Sequence, residues 1–144
     1  MLAKCELDMT TAKGIAVLVA EDDLEIAELL RKTLSHAGYT VTVANDGEEA
    51  LAAALATKPD LVVLDVMMPE INGWEVCKTL RGRKDFSDVG ILMLTAIGPN
   101  LNEMTAPLYG ADDHLDKPFM VEELLVKLSD LSAKYRKGAA AAVA

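Results

Sequence analysis

Apolar positions along this chain follow two rhythms. Short continuous runs, Ile15 to Ala20, Leu61-Val62-Val63-Leu64 and Ile91 to Leu94, are β-prone and end abruptly on polar residues. Such runs read as strands buried on both faces of a parallel sheet. Between them the apolar spacing changes to three and four. From Ala27 to Ala37, Leu30, Leu34 and Ala37, beside Ile26 and Leu29, form the stripe of an amphipathic helix stopped by Gly38. Thr40-Val41-Thr42-Val43 alternates as a half-buried strand, and Asp46-Gly47-Glu48-Glu49 carries an N-cap acid with a second acid three residues on. That capping-box variant opens an alanine-rich helix ending before Pro59. Asn72-Gly73 turns the chain into a helix through Trp74, Val76, Cys77 and Leu80, and Gly82 to Asp88 is a polar loop. Pro99 to Leu108 is a helix closed by Gly110, and Asp113 to Asp116 is a short strand. Val121 to Lys134 places Leu124, Leu125, Leu128 and Leu131 at helical spacing, with Glu122 and Glu123 in the first turn, where the helix dipole favours acids. Five strands alternating with five helices require right-handed crossovers and a three-layer α/β sandwich.

The strand ends carry the chemistry. The first run leads into Glu21-Asp22-Asp23, the third strand ends on Asp65, the fourth leads into Thr95-Ala96, and the fifth leads to Lys117-Pro118. In an open parallel sheet these ends share one edge, where ligands collect. Acids after a strand are often mere helix caps, and lysines are usually solvated. Convergence on one edge favours a site. Crowded carboxylates repel, and a divalent cation relieves them; few carboxylates with room for water suit Mg2+, which completes its octahedron with a phosphate oxygen. Asp65 is then a carboxylate nucleophile toward phosphorus, Lys117 neutralises charge on the transferring group, and Thr95 hydrogen-bonds the phosphoryl oxygens.

The chain has 144 residues, 51% hydrophobic and 26% charged, which fits one globular domain. We expect an N-terminal extension over 1–14, one domain over 15–136, and an alanine-rich tail over 137–144; Met9 is an alternative start. A formal net charge of −9 disfavours direct nucleic-acid binding by this chain. Cys5 and Cys77 match no metal spacing and read as reduced thiols. No apolar run reaches the roughly 20 residues of a membrane span, and no signal-peptide stretch is present, so a soluble cytoplasmic protein without membrane contact is expected.

These residues, in this order and spacing, resemble the receiver domain of two-component response regulators, from about Ile15 to Lys134. The resemblance rests on Val19-Ala20-Glu21-Asp22-Asp23, Asp65-Val66-Met67-Met68-Pro69 with Asn72-Gly73, Thr95-Ala96, and Gly110-Ala111-Asp112-Asp113 leading to Lys117-Pro118-Phe119. It implies a chemotaxis-receiver-like, flavodoxin-like (βα)5 fold with strand order 2-1-3-4-5. It implies phosphorylation of Asp65 by a sensor histidine kinase or phosphotransfer protein, with Mg2+ held by Glu21, Asp22, Asp65 and the backbone carbonyl of Met67. Lys117 pairs with the phosphoryl group. Thr95, with Ala96 beside it, moves toward the phosphate and carries the surface of the fourth helix, fifth strand and fifth helix with it, controlling a downstream protein or output domain.

Two positions depart from much of the family. Three residues before Lys117, where an aromatic ring is usual, stands His114, read either as a packed imidazole or as a pH-sensitive switch. The last helix also lacks the arginine-rich face of many DNA-binding members, which leaves the output partner and the choice between a stand-alone receiver and part of a longer regulator open. Met67 and Ile97, two positions beyond Asp65 and Thr95, offer little to orient a hydrolytic water, so a long-lived phosphoprotein is expected. Two other readings compete with this one. A receiver-like binding module that is never phosphorylated conflicts with the intact acidic, hydroxyl and lysine set. An aspartyl-nucleophile phosphatase would carry a second acid two residues after Asp65, where Met67 stands.

Overall fold

The computed structural model describes residues 14–68, 71–95 and 110–135. In chain order the elements are β1 (Ala16–Ala20), α1 (Leu24–His36), β2 (Thr40–Ala44), α2 (Gly47–Thr57), β3 (Leu61–Asp65), α3 (Gly73–Arg81), a 3-10 turn (Lys84–Phe86), β4 (Gly90–Thr95), β5 (Asp113–Asp116) and α4 (Val121–Lys134). The strands form one five-stranded parallel sheet in the order β2-β1-β3-β4-β5. Every expected strand is present. The expected helix over Pro99–Leu108 lies outside the described residues, as do Cys5, Ala96, Ile97, most of the 1–14 segment and the alanine-rich tail.

Strand alternation splits the core into two layers. Leu18, Ala20, Val62, Leu64, Ile91 and Met93 face the side covered by α2 and α3, through Ala50, Ala54, Val76, Cys77 and Leu80. Val17, Val19, Leu61, Val63, Leu92 and Leu94 face α1 and α4, through Leu30, Leu34, Leu124, Leu128 and Leu131. β3 sits at the centre of the sheet and all five of its residues are buried, which is why its sequence is apolar without alternation. Edge strand β2 is only partly buried, and alternates.

Local chemistry sets the helix starts. Asp46 accepts the Glu49 N–H at 2.7 Å, as its N-cap position requires. The return bond differs from a strict capping box: Glu49 Oε1 accepts the N–H of Asn45, one residue earlier than the cap. Asn72 caps α3 by accepting the Glu75 N–H at 3.0 Å. The segment expected to be a plain polar loop, Gly82 to Asp88, contains the 3-10 turn, and its Phe86 is buried in the α2/α3 layer. One apolar residue among charges carries no periodicity, so only the tertiary fold shows where it anchors.

Candidate functional site

Sheet register brings the chemistry together. Ala20 pairs with Leu64, so Glu21 follows β1 level with Asp65 at the end of β3. Asp65 pairs with Leu94, and Thr95 pairs with Asp116, which places Lys117 one step beyond β5. Lys117 is fixed there by its own backbone, whose N–H donates to the Thr95 carbonyl at 2.7 Å.

Glu21 is fully buried and held on every side. Its N–H donates to Ala44 O at 3.0 Å, its carbonyl accepts from Asn45 Nδ2 at 3.4 Å, and its Oε2 accepts the Asp23 N–H at 3.2 Å. Its Oε1 accepts from Lys117 Nζ at 2.7 Å. Asp65 Oδ1 accepts the Met67 N–H at 3.2 Å and lies 3.4 Å from the same Lys117 Nζ. Lys117 thus bridges the two buried acids and sits closer to Glu21 than to Asp65. Asp22 remains exposed, and carboxylate oxygens of Glu21, Asp22 and Asp65 all lie within 4.8 Å of one another. Asp23 separates from its neighbours: it is the N-cap of α1, accepting the N–H groups of Glu25 and Ile26 at 3.0 and 3.2 Å.

The electrostatics follow from this crowding. Burial, then the Glu21 carboxylate through hydrogen bonding and charge, then Asp22, push the Asp65 carboxyl from its ordinary 3.8 up to about 8, and Lys117 offsets only part of this. Burial opposes the charged form of Lys117, yet the Glu21 hydrogen bond and the charges of Asp65 and Glu21 hold its pKa above the usual lysine value. The donor set of three clustered carboxylates, one of them unable to ionise cheaply without added positive charge, fits a hard divalent cation.

Thr95 is fully buried at the end of β4. His114 is half-buried on β5, paired with Met93, so it shares the β4/β5 ladder with Thr95. Met67 is 66% exposed on the loop after Asp65. Two features escaped the sequence reading: the Lys117–Glu21 pair, which joins residues 96 positions apart, and Gly73, whose backbone lies against Asp65 itself. Among the described residues no helix is long and apolar enough to cross a membrane.

An acid cluster, a buried hydroxyl and a strand-end lysine on the carboxyl edge of a doubly wound five-stranded sheet define a receiver. The chain belongs to the response regulator receiver domain family, whose model matches residues 17–129. It is thus a receiver domain of two-component signalling, with the flavodoxin-like fold. Among curated relatives it is 48% identical to the response regulator MprA of Mycobacterium tuberculosis over 119 residues, covering 82% of this chain and 50% of that protein. The chain therefore spans about half the length of the curated relatives it matches. Among solved structures, the chemotaxis response regulator CheY4 of Vibrio cholerae is 36% identical with a TM-score of 0.77, covering 81% of this chain and 98% of that one. A putative response regulator from Chloroflexus aurantiacus J-10-fl is 37% identical with a TM-score of 0.79, covering 84% and 99%.

Proposed function

We propose that Asp65 accepts a phosphoryl group from a phosphohistidine of a sensor kinase or phosphotransfer protein. The observation that carries this reading is the buried Asp65 carboxyl between Glu21, Asp22 and Lys117 at the sheet's carboxyl edge. A carboxylate oxygen of Asp65 attacks phosphorus, the P–N bond breaks, and the departing imidazole nitrogen keeps the bond's electron pair and takes up a proton. Mg2+, held by Glu21, Asp22, Asp65 and the Met67 carbonyl, would supply positive charge to the nucleophile and to the phosphoryl oxygens. Lys117, already between Glu21 and Asp65, shifts toward the arriving phosphoryl oxygens, and Thr95 donates its hydroxyl to them. The new bond at Thr95, with Ala96 next in the chain and His114 on the neighbouring strand, biases the β5 and α4 surface between two states, which a downstream protein or output domain reads.

The functional unit is 15–136, flanked by an extension over 1–14 and a tail over 137–144. It acts as a phosphoacceptor that assists only its own phosphorylation and dephosphorylation, in the cytoplasm, without touching nucleic acid or membrane itself. Incubation with acetyl phosphate and Mg2+ should add one phosphoryl group, and EDTA should abolish the labelling. Undiminished labelling of Asp65→Asn would sink the assignment.

A further inference from the structure

We propose that Gly73 and Gly47 are positioning residues, which set where the chain just after Asp65 holds the Met67 backbone beside the Asp65 carboxylate. This rests on the reading of Glu21, Asp22 and Asp65 as a divalent-cation site. Each glycine is the first residue of a helix, after the caps Asn72 and Asp46. Neither has a left-handed φ, which among the described glycines belongs to Gly14, Gly38 and Gly110. A helix backbone there accepts alanine, and intrinsic propensity favours alanine over glycine. The requirement for glycine is therefore one of space.

The space is taken by neighbouring backbone. A Cβ on Gly73 would lie 2.3 Å from the Asp65 carbonyl oxygen and 2.9 Å from both the Asp65 carbonyl carbon and the Val66 Cα. These are backbone atoms and cannot swing aside. The Gly73 N–H also donates to Val66 O at 2.9 Å, and the same carbonyl accepts the Met68 N–H at 3.2 Å. A Cβ on Gly47 would lie 1.9 Å from Ile71 O and 2.7 Å from Ile71 Cβ. The start of α3 thus seats Asp65 and Val66, while the start of α2 seats Ile71. Met67 follows directly on the first of these contacts, and its N–H is bonded to Asp65 Oδ1. Mg2+ tolerates little departure from octahedral geometry, so backbone displaced by an added methyl misplaces one ligand relative to another.

Mg2+ alone is the probe, titrated by calorimetry and by the fluorescence of the single tryptophan, Trp74, next to Gly73. Gly73→Ala and Gly47→Ala should fold by circular dichroism yet bind Mg2+ about 10- to 100-fold more weakly, the range for residues that orient metal ligands. Excess Mg2+ should restore acetyl phosphate labelling. Gly82→Ala is the control, since its Cβ would meet Lys78 O and Thr79 O at an ordinary 3.5 Å, and its affinity should be that of the wild type. If neither helix-start variant folds, Ile71→Ala, which keeps the Cβ beside Gly47 but removes the half-buried packing that holds Ile71 against the core, carries the test and should lose several-fold in affinity. Wild-type affinity in the folded variants overturns the proposal. Absence of Mg2+ binding by the wild type would instead overturn the cation site itself.

Discussion

Asp65 is buried against the charge of Glu21 and Asp22. Burial and the neighbouring acids push its carboxyl up from 3.8 to about 8 in the folded chain, so between these values the folded chain holds a proton that the unfolded chain has lost. Stability therefore falls as pH rises from about 4 to about 8. Asp112, whose carboxyl is held below its usual value despite burial by Lys134, the Ile91 N–H, Tyr135 and Arg81, acts in the opposite direction, but its contribution is complete once pH exceeds the ordinary carboxylate range. From pH 5 to 8 the Asp65 effect stands alone of the two. In EDTA, Asp65→Asn should raise the melting temperature at pH 8 by about 4 °C or more and flatten its pH dependence. Mg2+ should stabilise the wild type at pH 8 and leave the variant unmoved; a variant no more stable than the wild type in EDTA would remove the electrostatic argument. A second expectation concerns Met67, which is exposed two residues after the proposed acceptor Asp65 and offers only a thioether to an attacking water. Met67→Asn should shorten the phosphoprotein's half-life by about tenfold, as a positioned donor and acceptor does. Unchanged decay kinetics, followed by loss of label after removing acetyl phosphate, would show that this side chain does not set the lifetime.

Between elements, the adjacent acids Asp112 and Asp113 look alike in sequence and do different work. Asp113 pairs with Lys127 at 2.9 Å near the surface, an arrangement that contributes little. The Asp112 side chain is 4% exposed and accepts from Arg81 Nη2, Lys134 Nζ and Tyr135 Oη, each at 2.7 Å, and from the Ile91 N–H at 2.8 Å. Arg81 extends the knot, donating to Gly110 O and Val89 O at 2.7 Å and to Phe86 O at 3.2 Å. One acid thereby ties α3, the start of β4, the approach to β5 and the end of α4. Asp112→Ala should cost about 3–5 kcal/mol, because it leaves the half-buried Arg81 charge uncompensated. Tyr135→Phe, which removes one bond, should cost about 1 kcal/mol. Urea denaturation measures both, and an Asp112→Ala midpoint within error of the wild type would mean that the knot closes without its acid. Nothing in the dipeptide distinguishes the two residues, since burial of Asp112 depends on α3 and α4 arriving from opposite faces.

Across the whole molecule, β4 is the strand that joins these regions. Its first turn of chain meets the Asp112 knot, while Thr95 at its other end meets Lys117 through the backbone. Under the proposed function, a phosphoryl group on Asp65 would shift the β5 and α4 surface only as far as it binds one state better than the other, with the Thr95 hydroxyl as the proposed differential contact. Thr95→Ala should accept phosphate from acetyl phosphate yet lose the change in amide hydrogen exchange over Asp113–Asp116 and Val121–Lys134 that phosphorylation produces in the wild type. Identical exchange changes in both proteins would place the switch elsewhere.

The sequence alone determined the strands and placed acids, a hydroxyl and a lysine at their ends. Continuous apolar runs force burial on both faces of a sheet, and an acid, hydroxyl or lysine directly after such a run has only the sheet edge to occupy. Val121–Lys134 was legible to the residue because propensity, periodicity and first-turn acids agree there. Tertiary structure alone decided the finer arrangement. Lys117 rests on Glu21 more closely than on Asp65; Phe86 fills the core from a charged segment; Gly73 and Gly47 leave room for backbone remote in sequence. Each of these depends on the distance between segments remote in sequence, and local pattern carries no information about that distance until the helices have docked on the sheet.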